Sequence, residues 1–303
     1  MKTFKPVSYT HLFNAAETLL NEARSIFISL GEVERLVEVD LEFGSLFRDR
    51  VHMGNSSMHG AVDARTRRLY YREALNMLDL AHRRAIEHKM PQHALDALVN
   101  QARIHYYAGD LDASEEVLRW VFSDDTYSDY LIRPASKNLP PSGDINLRDH
   151  NWVFRHLSTA QRTRASMAAD RFQQRVEFRK KNRPDESYED RANWVNRDPD
   201  AQKALRMMME AYALALAYAE LFSPRSRSIG ALQNDLYRRI QKFNRTEFEA
   251  LKRHLDDIGR EPSADEKEPA ETLHYPVLRK HSLAMLHNLL DEFFGAGLKM
   301  TAE

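Results

Sequence analysis

This 303-residue sequence predicts an all-α fold, and three observations predict it. Glycine and proline are sparse, at 10 and 11 residues, while Ala, Leu, Glu, Arg and Met are abundant, a composition suited to helix interiors. Apolar residues recur at intervals of three and four through most of the chain, the period of a helix with one buried face. Helix punctuation also falls between these periodic runs, at Pro91, at Gly109-Asp110 and at Asp198-Pro199.

In chain order, Ala15, Leu19, Ala23, Ile26, Phe27 and Leu30 give the first helix an apolar stripe, and residues 33–48 form its partner. Histidine, glycine and serine become frequent over residues 50–58, which reads as a loop. Residues 68–122 are the stretch around which the chain is organised. Ala74, Leu78, Ala81 and Ala85 mark the inner face of one helix. A second helix starts after Pro91, carries Leu95, Leu98, Ala102 and Tyr106 on its packing face, and ends near Gly109. Gly109 takes the tight turn at little steric cost, and a third helix follows from Leu111 with Ser114, Leu118 and Val121 inward. Small residues at these contacts let helix axes approach closely.

The periodicity stops over residues 123–149, where Pro134, Pro140, Pro141 and Gly143 stand among polar residues. This divides the chain into 1–123, a linker at 124–149, and a helical lobe at 150–303. The tyrosines and Leu131-Ile132 of the linker indicate that part of it packs down. The helix over 150–179 carries Leu157, Ala165, Ala168, Phe172 and Val176 on one face, flanked by Arg164, Arg171, Arg175 and Arg179, with Lys180, Lys181 and Arg183 following. Residues 184–196 read as a polar loop containing Trp194, before Asp198 caps and Pro199 begins the next helix. Residues 200–222, with Met207, Met208, Met209, Ala211, Leu214, Ala215 and Tyr218, are apolar on most sides and so central to the second lobe. A basic loop at 224–228 leads to a helix through Leu232, Leu236 and Ile240. Asn244 with Glu247 forms a capping arrangement for residues 248–258, a charged stretch spans 259–271, and a last helix covers 277–294.

Several chemistries are excluded. Without cysteine there is no disulfide, thiolate metal site or cysteine nucleophile. The scattered histidines, such as His82 and His88 or His150 and His156, stand six apart and share no helix face, so neither metal nor cofactor is expected. Phosphate-binding loops, dinucleotide fingerprints and nucleophile elbows are absent, and the chain reads as non-enzymatic. The near-zero formal charge of −1 gives no global attraction to nucleic acid or membrane. The N-terminal residues lack an apolar run of signal-peptide length and no run reaches membrane-span length, so a cytoplasmic protein is expected, as a whole chain or as the sensor part of a larger one.

The framework Ala102, Gly109, Ser114, Leu118 and Val121, with Asn100, resembles the tetratricopeptide repeat family. Leu98 stands where the family often has tryptophan, His105 where it often has tyrosine, and no proline closes the unit. A looser copy covers residues 22–35, around Leu30-Gly31, and is similar to sensor arrays of bacterial signalling NTPases and transcriptional regulators. The resemblance implies an α-solenoid in the N-terminal part, with the paired helices of the C-terminal lobe open to reading as degenerate repeats. It implies a protein- or peptide-binding scaffold or adaptor, in bacterial signalling or defence. Asp96, Asn100, Arg103 and Tyr107, spaced four, three and four, lie on one side of their helix. In the family that side lines a groove, and a guanidinium beside an amide and a phenol suits a peptide backbone or carboxylate. The alternative is a nucleic-acid-binding regulator that uses the basic helix over 155–183, with Arg164, Arg171, Arg175, Arg179, Lys180 and Lys181 on an anionic partner.

Overall fold

The computed structural model describes residues 9–53, 63–123, 125–132, 151–187, 190, 193–223, 227–259 and 284–292. The described residues are overwhelmingly helical and none lies in a strand. They fall into two units, Met1–Tyr127 and Ser128–Glu303.

Unit 1 contains α1 (Tyr9–Leu30), α2 (Val33–Met53), α3 (Ala64–Glu87), α4 (Pro91–Ala108) and α5 (Leu111–Ser123). The turns obey local chemistry. Gly31 and Gly109 both take positive φ, +68° and +88°, where a Cβ would be strained. Pro91 occupies the first turn of α4, where its missing N–H costs nothing. Asp63, ahead of α3, accepts hydrogen bonds from the N–H groups of Arg65 (2.9 Å) and Thr66 (3.0 Å), a capping role absent from the sequence reading.

α2 packs against α1, α3 and α4, and α4 packs against α3 and α5. Val37, Phe43, Phe47 and Val51 of α2 meet Ala74, Leu78, Ala81 and Ala85 of α3 in one core, which Ala94, Ala97 and Ile104 of α4 complete. Gly44 marks the closest approach. A Cβ there would come within 2.4 Å of Leu78 Cδ2. Between α4 and α5 the corresponding contact is a hydrogen bond, Ser114 Oγ donating to the Ala102 carbonyl at 2.8 Å. Ser114, Leu118 and Val121 are the buried residues of α5, as their spacing predicts. On α4, Leu95 and Ala102 are buried while Leu98 and Tyr106 are only partly so, because neighbours on several sides also bury Ala94, Val99 and Ile104.

Two expectations are corrected. The loop expected over 50–58 begins later, since α2 continues through Met53. Arg50 and Val51 are buried, and the Arg50 guanidinium stacks over the rings of Tyr70 (4.7 Å), Phe13 (5.3 Å) and Phe47 (5.9 Å). Cation–π contact and an ion pair to Glu17 at 3.1 Å compensate the buried charge. The apolar stripe of α1 is not buried as a whole. Ala23 and Phe27 pack against the core with Leu20, but Ala15, Leu19, Ile26 and Leu30 remain exposed among the described residues.

Unit 2 contains α6 (Asn151–Asn182), α7 (Pro199–Phe222), α8 (Arg227–Ile240) and α9 (Arg245–Gly259). α6 and α7 run antiparallel. Phe154 stacks on Tyr218, Ser158 Oγ donates to the Ala215 carbonyl at 2.8 Å, and Arg175 reaches Asp198. α7 is central, as its composition predicts, buried from Ala201 to Ala219 on nearly every side, although Met207 is only partly covered. Asp198 accepts from the Ala201 N–H at 3.0 Å, confirming the expected cap. The Asn244 and Glu247 box forms in both directions, at 2.9 and 3.0 Å. Trp194 is not in an open loop. It lies buried in a 3-10 turn, Trp194–Asn196, stacked on Phe172. Residues 284–292 are helical and bury Leu286 and Leu290. The proline-rich part of the expected linker, the basic loop at 224–226 and residues 260–271 lie outside the described residues.

Candidate functional site

The stripe expected on α4 meets α2. The two helices run parallel, since Glu38 approaches His93 near their N-termini and Arg48 meets Asn100 further along. Asn100 is 5% exposed, and its amide is engaged at both ends. The Nδ2 group donates to the Asp96 carbonyl (3.1 Å) and to Asp96 Oδ1 (2.9 Å). The oxygen accepts from Arg103 Nη1 (3.2 Å) and from Arg48 Nη1. Asn100 therefore organises two guanidinium groups and presents almost nothing to solvent.

Arg48 is the residue that sequence reasoning missed. It is 8% exposed, and its carboxylate partner is the adjacent Asp49, at 2.7 Å. Burial, with the positive charge of Arg103 as the second cause, pulls its pKa below the usual arginine value. Arg103 lies over the Tyr107 ring at 5.8 Å and donates to its hydroxyl at 3.4 Å. Among the described residues no carboxylate lies within ion-pair distance of Arg103. Its acceptors among the described residues, Asn100 Oδ1 and the Tyr107 hydroxyl, are neutral.

His52 completes the cluster, its ring 4.2 Å from that of Tyr107. Burial, then Arg103 and Arg48, lower its pKa. Asp49 acts in the opposite direction. The imidazole is thus held neutral at pH 7, a donor or acceptor beside a cation. Arg67 Nη2 donates to the Tyr107 carbonyl at 2.8 Å, tying this end of α4 to α3.

The basic stripe of α6 is arranged differently. Arg175 bridges Asp198, at 2.8 and 3.0 Å, and Asp200, at 3.2 Å. Arg179 pairs with Glu186 and stacks over Trp194 at 5.3 Å. Lys180 pairs with Glu177 at 3.3 Å, Lys181 is exposed, and Arg164 and Arg171 each have a partner. Arg175 and Arg179, with Arg183 and Arg197, border a cleft of about 730 Å³ that is also lined by Asp185, Glu186, Asp190 and Asp198. Its charges are mixed. Arg175 and Arg179 tie Glu186 and the start of α7 to α6, and the stripe does not form a uniform cationic track. Phe178 is exposed, but the aromatic residues nearest these arginines, Phe172 and Trp194, are buried and so provide no stacking surface for bases.

No helix among the described residues is long and apolar enough to cross a membrane. The chain matches no protein-family model, no curated protein and no solved structure, so the functional reading rests on the chemistry of these side chains.

Proposed function

We propose that unit 1 is a non-enzymatic protein- or peptide-binding module built from tetratricopeptide-like helical repeats, with its anion-recognising point at the α2/α4 cluster. The observation that carries this reading is Arg103, a half-buried guanidinium whose partners among the described residues are neutral, set beside a second arginine by Asn100. A carboxylate or backbone carbonyl of a partner supplies the acceptors that such a fork lacks.

The helix pairs support the repeat reading. Ala74, Leu78 and Ala81 on α3 have the same four-three spacing as Ser114, Leu118 and Val121 on α5, and each set faces a small residue, Gly44 on α2 or Ala102 on α4. This register makes α2/α3 and α4/α5 the two repeats and leaves α1 outside them, whereas the Leu30-Gly31 turn had marked α1/α2. In the family such pairs stack into a solenoid whose first helices line the groove, and α2 and α4 are those helices here. A role as scaffold or sensor in bacterial signalling follows from the family alone.

The test is capture of partners from native lysate by the full chain and by Arg103→Glu, at two salt concentrations and after nuclease. Loss in the variant of a protein that wild type retains after nuclease supports the reading, provided helicity by circular dichroism is unchanged. Equal capture by both chains removes Arg103 from the interface and refutes the site. Capture that disappears with nuclease transfers the weight to nucleic acid.

A further inference from the structure

We propose that Glu34, Glu38 and His93 form a binding site for a divalent transition-metal ion at the N-terminal ends of α2 and α4. Glu34 and Glu38 stand one turn apart on α2 and project from the same side. His93 lies in the first turn of α4, three residues before Asp96, on the stripe that carries the arginine cluster at its other end. One donor atom from each of the three falls within 4.8 Å of the others.

His93 and Glu38 face each other at ion-pair distance with no hydrogen bond between them. His93 Nε2 and Glu38 Oε1 are 4.0 Å apart, too far for either to bond the other. Two ligands at about 2.0 to 2.2 Å from a shared ion stand at most roughly this far apart. The other oxygen of Glu38 is already occupied, since Arg35 Nη1 donates to Oε2 at 2.7 Å. Arg35 thereby fixes the carboxylate and leaves Oε1 toward the imidazole, the outer-shell support that metal-ligating carboxylates receive.

One imidazole and two carboxylates suit zinc or a similar first-row ion better than calcium, which takes oxygen ligands alone. Three protein ligands leave a coordination position for water or for a side chain of a bound partner. No motif in the sequence marks this trio, because the histidine comes from a different helix, 55 residues after Glu38.

Zinc titration calorimetry of the full chain tests the site. One zinc per chain is expected, with affinity falling by about tenfold or more in Glu34→Gln and in His93→Ala. Glu34 is exposed, so its substitution separates ligand loss from misfolding, with the circular dichroism spectrum as control. His287, 3.6 Å from Asp256 in unit 2, is a histidine–carboxylate pair outside any three-ligand group among the described residues, and His287→Ala should leave the titration unchanged. Absence of heat, or zinc binding that survives both Glu34→Gln and His93→Ala, overturns the proposal. Binding lost in His287→Ala does so as well.

Discussion

Two buried ionisable residues, one in each unit, set the sharpest expectations at the scale of single side chains. Asp40 on α2 is completely buried and holds Arg24 of α1, 3.3 Å away, and Arg84 of α3. Burial outweighs both cations and keeps its carboxyl above the ordinary aspartate range. Removing one member of such a group leaves opposite charges uncompensated. Asp40→Ala is therefore expected to cost about 3 kcal/mol, the low end of the range because both arginines keep some access to water, and Asp40→Asn less, read from urea unfolding. His254 on α9 is 6% exposed, and among the described residues neither ring nitrogen has a hydrogen-bond partner. Burial, with Arg206 the next cause, depresses its pKa to about 4. Below about pH 6.5 the unfolded chain takes up a proton that the folded chain refuses, so stability falls as pH drops from 6.5 and levels off below about 4. Between pH 7.5 and 5 the loss from this residue is expected to be about 2 kcal/mol. Unfolding at both pH values should show the difference shrink by that amount in His254→Leu. An unchanged difference would place the acid sensitivity elsewhere.

At the scale of elements, helix pairing depends on small residues at a few positions. Gly44→Ala places a methyl group against Leu78, which is itself fully buried. Overpacking of this kind is expected to cost about 1 to 3 kcal/mol and to be relieved by a second change, Leu78→Ala, a non-additivity that a double-mutant cycle measures. The sequence showed much of this level. The inner faces of α3 and α5, the caps at Asp198 and Asn244, the proline start of α4 and the glycine turn at Gly109 are local signals, and local signals fix helix ends and periods. It did not show which helix meets which. The Leu30-Gly31 turn pointed to α1 as the partner of α2, yet α2 spends its apolar residues on α3 and α4 as well, and most of the stripe of α1 stays uncovered. The site had the same limit. Asp96, Asn100, Arg103 and Tyr107 were legible because they share one helix, whereas Arg48 was not, being 52 residues away and recognisable only once α2 lies beside α4. The α6 arginines were legible as charge, but their acidic partners at Asp198, Asp200 and Glu186 sit across a turn that no helical period specifies.

At the scale of the whole molecule, each unit buries its own core, and the buried tryptophan lies in only one of them. Trp194 is enclosed by Phe172 and α9 in unit 2, while Trp120 in unit 1 is exposed and changes its surroundings little on unfolding. Tryptophan fluorescence therefore follows mainly unit 2, whereas far-ultraviolet circular dichroism follows the helices of both. If the units unfold as separate cooperative bodies, Asp40→Asn should move part of the dichroism transition to lower urea and broaden it, with the fluorescence midpoint unchanged. A shift to pH 5 should lower the fluorescence midpoint through His254. A fluorescence midpoint that follows Asp40→Asn by the same amount would show that the two cores melt as one, and the division near residue 127 would then be geometric without being energetic.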